Sequence, residues 1–415
     1  MGWLMDRGGF GARDHHLATD CAIVTTRLPC VWRQRILARQ KTTANLVRVF
    51  SLFRRKAPAP LEVTFKQRVE AFWTWYASVA DRFYQTIESG KCASLADEVN
   101  ENVNRHLSPF AWVFGPGAEG KGHSFTLTAE GNPHRQLLTQ YWLSRAPAIP
   151  GWTFYPARQP GRLGDIVLDK DGTRFNPIEF WITPDVDDEK EKIDLTVWHP
   201  LFATMPEQQR WTVLFLFLDE VLGEYGVQRW IGEIKLRDDR LAQSMPLAEL
   251  HGFALDLQRA HGWKSLPPGE SASSYRINES DADFPRSDVF VGSSTHFRLI
   301  ADYMNADGQL EDPLKGTGAD FVFAQFTASL LPRGEEVAVR GLIEDELDSS
   351  LRNAHRGRLI GGAMGRRHAY IHLLLFDGAA SIEIVRDVLR KRQLPADTAI
   401  HYFAKEKSKQ AVTLR

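Results

Sequence analysis

The sequence predicts an α+β protein: two ferredoxin-like or related α/β-layer domains in tandem, products of an internal duplication. Three observations carry that expectation. Residues 193–234 and 319–362 echo one another. Asp194 and Asp320 each open an apolar alternation, Pro206 and Pro332 each precede a helical pattern, Leu218-Asp219-Glu220 answers Ile343-Glu344-Asp345, and Ile231-Gly232 answers Ile360-Gly361. All twelve Trp lie at or before Trp263, where a stretch rich in Pro, Ser, Gly and Asp begins. A composition shift that coincides with a turn-rich segment marks a domain boundary. At 415 residues the chain is also too long for one ordinary core. The expected division is therefore an irregular basic leader (1–60), a Trp-rich α+β domain (61–263), a linker (264–286) and a second α+β domain (287–410).

The elements follow in order. Phe65, Val69, Phe72, Tyr76, Val79, Phe83 and Ile87 recur at three- and four-residue steps, one apolar stripe on a helix of some six turns that Gly90 stops. A short helix over 95–106 precedes strands at 110–114 and 123–128, which flank a glycine-rich turn. A helix over 134–145 follows, then strands at 152–157, 166–168 and 176–183 and a charged loop at 185–192. The first echo unit reads as strand, helix, strand and a helix near 247–260. Beyond the linker, 289–300 opens the second domain, and the echo unit, a strand at 370–376, a helix over 381–392 and a strand at 399–403 complete it. Arg390-Lys391-Arg392 before Leu394-Pro395 is a helix end, with cations in the last turn and proline beyond. Strand–helix–strand–strand–helix–strand is the order of a split α+β layer, whose helices cover one sheet face and leave the other for a partner or second domain.

Composition excludes several classes. Hydrophobic content of 43% and charged content of 25% are ordinary for a globular protein. No apolar run approaches the roughly 18 residues of a membrane span. Three cysteines are too few for a disulfide framework, and a cytoplasmic location is the expectation. The net charge of −1 hides an asymmetry: residues 1–60 hold 11 basic against 3 acidic residues, so the rest holds 40 basic against 49 acidic. An acidic body is a poor partner for phosphate backbones, which disfavours nucleic acid. The leader sustains neither helical nor strand period. A start codon set too early, an organellar targeting segment and a genuine basic arm compete for it, and the irregular composition favours the first.

Most motif-like features have bland explanations. Gly115 through Gly122 (GPGAEGKG) nearly matches the phosphate-binding GxxxxGK[ST], but Gly122 stands where the metal-binding hydroxyl belongs, and a strand rather than a helix follows. It reads as a hairpin turn. Asp219, Glu220 and Glu224, with Glu344, Asp345 and Asp348 in the second unit, could do acid–base work or bind a metal. Their recurrence in both units favours the solvated face of an amphipathic helix. His368 and His372 are four apart, but on a strand, where that spacing is about 13 Å, and Arg366 and Arg367 would repel a cation. Glycines at 357, 361, 362 and 365 read as sheet bending rather than an anion nest. Trp198 and His199 end one strand and Trp230 and Glu233 begin the next. If those strands are neighbours, indole, imidazole and carboxylate could meet at a sheet edge, and these four are the candidate binding-surface residues. No catalytic, cofactor or metal motif is present, and no cofactor is expected.

Gly341-Leu-Ile-Glu-Asp-Glu-Leu347, Gly357-Arg-Leu-Ile-Gly-Gly362, the aromatic-rich strand at 370–376 and the helix at 381–392 resemble an uncharacterised bacterial family among the domains of unknown function (number 695). The likeness covers some 120 residues. It implies a kinship with modules like the regulator of ribonuclease activity B, which are small protein-binding α+β domains, and it transfers no functional residue. The expectation is a non-enzymatic, bacterial, cytoplasmic binding or regulatory protein whose partner is another protein; exposed Trp and Tyr are frequent interface anchors, but the ten Trp of the body read mostly as core. Two alternatives stand beside it: a small-molecule enzyme with a site between the domains near Trp198, His199, Trp230 and Glu233, and a self-associating scaffold.

Overall fold

The computed structural model describes residues 63–161, 168–170, 173–277 and 282–415. The expected leader, most of the strand at 166–168 and part of the linker lie outside the described residues.

The aromatic stripe becomes helix α1, Phe65–Glu88. Thr64 and Gln67 cap it reciprocally, each side chain accepting the other's backbone N–H. Gly90, at φ 73°, turns the chain out. Phe65, Val69, Phe72, Tyr76 and Phe83 are fully buried. Helix α2 (Ala96–Leu107) lies beside α1, and the hairpin β1 (Ala111–Pro116) and β2 (His123–Thr128) follows. The GPGAEGKG segment is the turn of that hairpin, closed by Gly117 N–H donating to Gly122 O. Helix α3 (Pro133–Ser144), capped by Asn132, leads to β3 (Trp152–Tyr155), which pairs in parallel with β2.

After a short hairpin of β4 (Leu168–Lys170) and β5 (Thr173–Phe175) comes a four-stranded sheet in the order β8-β7-β6-β9. Its strands are β6 (Trp181–Asp187), β7 (Lys192–Trp198), β8 (Ile231–Arg237) and β9 (Met245–Pro246). The 185–192 stretch expected as a loop is the β6–β7 hairpin itself, with its turn confined to 188–191. Helix α4 (Glu207–Trp230) crosses between β7 and β8, which pair in parallel, and α5 (Leu250–His261) packs on α4.

The C-terminal residues form a seven-stranded sheet ordered β10-β11-β13-β14-β12-β15-β16. In chain order these are β10 (Ser273–Arg276), β11 (Val289–Ser294), helix α6 (Phe297–Asn305), β12 (Asp320–Thr327), α7 (Glu336–Asn353), β13 (Gly357–Gly365), β14 (His368–Leu375), α8 (Gly378–Lys391), β15 (Ala399–Tyr402) and β16 (Val412–Thr413). From β12 to β15 the path is strand–helix–strand–strand–helix–strand, with β14 inserted between β12 and β13. The two echo segments therefore differ in connectivity. The first places its two strands side by side, and the second separates them by a third.

Among the described residues, three buried clusters organise these elements. Residues 175–263 have a core of their own, built on Phe180, Phe217, Leu218 and Trp230. The seven-stranded sheet is covered on both faces, so alternate residues of its central strands enter different cores. Val322, Ala324, Ile371 and Leu373 pack against α7 and α8. Phe321, Phe323, Tyr370 and Phe403 share one core with Phe65, Phe72, Trp142 and the rest of the 65–155 block. The Tyr141 and Phe376 rings stack at 4.0 Å where the block meets the sheet. The buried clusters thus group residues otherwise than a division at 264–286 would. Residues 65–155 cover one face of the seven-stranded sheet.

Candidate functional site

The four residues singled out in the sequence do not meet. Pairing of β7 with β8 puts Ile193 opposite Ile231 and Trp198 opposite Arg237, so Trp198 stands about 16 Å along the strands from the Trp230–Glu233 end. Trp198 Nε1 donates to Asp238 O at 3.2 Å. Trp230 is buried, stacked on Trp263 at 5.9 Å with the Arg229 guanidinium over its face. Glu233 is exposed, and its N–H donates to Asp194 Oδ1 at 2.6 Å. His199 is fully buried beside Phe180, whose ring centroid is 4.3 Å away, and its Nδ1 accepts the Leu201 N–H at 3.2 Å. Burial holds its imidazole down to about 4, so it stays neutral. Strand neighbours share a sheet, but β7 and β8 are too long for residues at opposite ends to touch.

His368 and His372 both lie on β14, as expected. His372 is fully buried, with no hydrogen-bond partner for either ring nitrogen among the described residues. Gly361, at φ 141°, marks a bulge where a Cβ would lie 2.2 Å from Ser293 O, which accounts for that glycine by backbone approach.

The carboxylates of α4 depart furthest from expectation. They are not a solvated face. Helix α4 breaks at Gly223, whose φ of 71° and ψ of 162° are non-helical. The 157–161 segment fills the break: Glu224 N–H donates to Arg158 O at 3.0 Å, and Gly161 N–H donates to Glu220 O at 2.6 Å. A Cβ at 223 would sit 2.9 Å from Arg158 O. The break turns Glu224 inward, against the end of β2 and the start of α3, where it is 2% exposed. Its Oε2 accepts from Thr128 Oγ1 at 2.6 Å, and its Oε1 accepts from Gly131 N at 2.9 Å and Gln136 Nε2 at 3.0 Å. Next to Glu224 on the same seam, Tyr225 Oη accepts from Gln140 Nε2 and donates to Pro156 O. Burial pushes its phenol well up.

Asp219 lies on the N-terminal side of the break. Burial, then the charge of Glu224, raise its carboxyl to about 7, against an opposing pull from Arg158 and further upward pushes from Glu130 and Glu220. Arg158 is itself ion-paired to Glu130 at 3.0 Å. The arrangement can hold one carboxylate fixed by three donors beside a second that exchanges a proton near neutrality. Sequence reasoning named Asp219, Glu220 and Glu224 but assigned them to solvent, and it missed Thr128, Glu130, Gln136 and Arg158. The available signal was Gly223 itself, a glycine inside a helical pattern between the acids.

Among the described residues no group of three or more His, Cys, Asp or Glu is placed to hold a metal ion, and no helix is long and apolar enough to cross a membrane. Comparison of the chain with protein-family models, curated proteins and solved structures gives no match.

Proposed function

We propose that this chain is a non-enzymatic binding or regulatory protein of the bacterial cytoplasm, and that its target is another protein. The observation that carries the reading is the outer side of α7. Ile343, Leu347 and Leu351 bury its inner side in the sheet, while Val337 is 63% and Leu342 is 57% exposed. Ala338, Leu342, Asp345 and Ser349 are exposed one turn apart along one strip, and Leu330 adds 47% exposure just ahead of the helix. Large aliphatic groups held in water on a rigid helix are what a partner's apolar surface would cover. The likeness of residues 341–392 to the uncharacterised bacterial family belongs to the same reading. The test is affinity capture from the native host with wild type and with the double variant Val337→Asp/Leu342→Asp, checked by denaturation for equal stability. Wild type should retain a defined protein that the variant loses. Identical captures by the two would end the reading.

A second reading, acid–base chemistry on a small molecule at the α4 seam, is favoured by the accessible edge and raised carboxyl of Asp219. It requires that some small molecule raise the melting temperature of wild type and not of Asp219→Asn.

A further inference from the structure

A pair of histidines joins the 65–155 block to the C-terminal sheet. His134, in the first turn of α3, and His296, at the cap of α6, are each 8% exposed. His134 Nδ1 lies 2.8 Å from His296 Nε2, and His134 Nε2 lies 3.2 Å from Asp302 Oδ2. The Phe321 ring packs on both imidazoles, nearly parallel to His296 at 5.6 Å. Asp302 also accepts from Arg298 Nε at 2.9 Å, and His296 N–H donates to Ser294 Oγ.

The proton count in this chain is constrained. Asp302 requires a hydrogen on His134 Nε2, so with both rings neutral His134 Nδ1 accepts from His296 Nε2–H. One added proton leaves a single hydrogen between the facing nitrogens if it enters at His296 Nδ1 while the bridging hydrogen passes from His296 Nε2 to His134 Nδ1. A second does not, because both facing nitrogens would carry hydrogens and two cations would stand 2.8 Å apart. The surrounding charges oppose that second proton. Arg298 on α6 and Arg358 on β13 both act against it, Arg135 follows His134 on α3, and both rings sit at the positive ends of helices. Asp302 is the carboxylate on its side, and it is already engaged by His134 and Arg298; Glu270 is ion-paired to Arg358.

We propose that the His134–His296 bridge is an acid-labile latch: it holds α3 of the N-terminal block onto α6 of the C-terminal unit while at most one proton is shared, and releases that contact when both rings are charged. Release uncovers Phe321 and loosens the first turns of the two helices, while the Tyr141–Phe376 stack keeps the block on the sheet.

Hydrogen exchange of the full chain, corrected for intrinsic rates, tests this between pH 7.5 and 4.5. Protection over 130–138 and 296–304 should fall at least about tenfold on acidification and return on neutralisation, with β13 and β14 staying protected. His296→Gln, whose amide can still donate to His134 but carries no titrating proton, should hold that protection across the range. An equal loss in wild type and variant, no loss in wild type, or a loss only together with β13 and β14 would each overturn the latch. If the variant does not fold, imidazole nitrogen NMR of wild type decides: one proton shared by the two rings supports the latch, and independent titration of the two rejects it.

Discussion

Thr128 Oγ1 donates to Glu224 Oε2 at 2.6 Å, joining residues 96 positions apart at the point where α4 breaks. With Gly131 and Gln136 as further donors, Glu224 is the hub on which the end of β2, the start of α3 and the second half of α4 converge. Glu224→Gln turns one acceptor into a donor facing donors, and should cost about 2–3 kcal/mol in urea unfolding. Thr128→Val, which removes one hydroxyl and leaves two donors in place, should cost about 1 kcal/mol. A Glu224→Gln protein as stable as wild type would show that the seam does not depend on this hub.

Asp219 gives the pH dependence an unusual sign. Its carboxyl titrates at about 7 in the fold and ordinarily at 3.8. Between these values the folded state holds a proton that the unfolded state has lost, so its contribution to stability falls as pH rises from about 4 to 7. Asp219→Asn removes the titration. Allowing for the side chain's accessible edge, it should stabilise the protein by about 2 kcal/mol above pH 7 and change little below pH 4. Equilibrium unfolding at pH 4, 6 and 8 measures the difference.

His199 acts in the opposite sense. The buried ring titrates at about 4 against an ordinary 6.5, so the unfolded chain takes up a proton first as pH falls. Stability is full above about 6.5 and is lost between 6.5 and 4. His199→Phe should keep about 2 kcal/mol that wild type loses across that window. At neutral pH it should cost about 1 kcal/mol, since the Leu201 N–H loses its acceptor. Parallel acid limbs for the two proteins would contradict the assignment.

Arg68 on α1 is 2% exposed, and its guanidinium donates to four backbone carbonyls, those of His106, Ser108, Gly316 and Thr317. It ties α1 at once to the end of α2 and to the loop entering β12. Arg68→Lys cannot reproduce the planar fork and should cost about 2 kcal/mol, and Arg68→Met about 3 kcal/mol or more. The measurement is the urea midpoint at unchanged slope.

Some of this was legible along the chain. The three- and four-residue spacing from Phe65 to Ile87, with Gly90 after it, specifies α1, because an apolar stripe of that period can bury only as a helix. The alternation after Gly122 specifies a hairpin at GPGAEGKG, because a strand offers no helix N-terminus to a phosphate. The strand period of 370–376 likewise separates His368 from His372. The acids of α4 were visible as residues and not as a site. Glu224 is buried by donors from 128, 131 and 136, and nothing within its own helix announces them except Gly223.

The sequence by itself determined elements such as α1 and the β1–β2 hairpin, since those follow from local period, caps and turns. Only the tertiary structure decided what each apolar side covers. Nothing in the spacing of 65–155 says that it covers one face of a sheet some two hundred residues away. Nor does the echo say that β7 and β8 lie side by side while β14 separates β12 from β13. Strand neighbours and packed faces are chosen by long-range burial and hydrogen bonding, which local pattern permits in several ways. The same choice brings Asp219 and Glu224 beside Glu130 and Arg158, and His134 against His296.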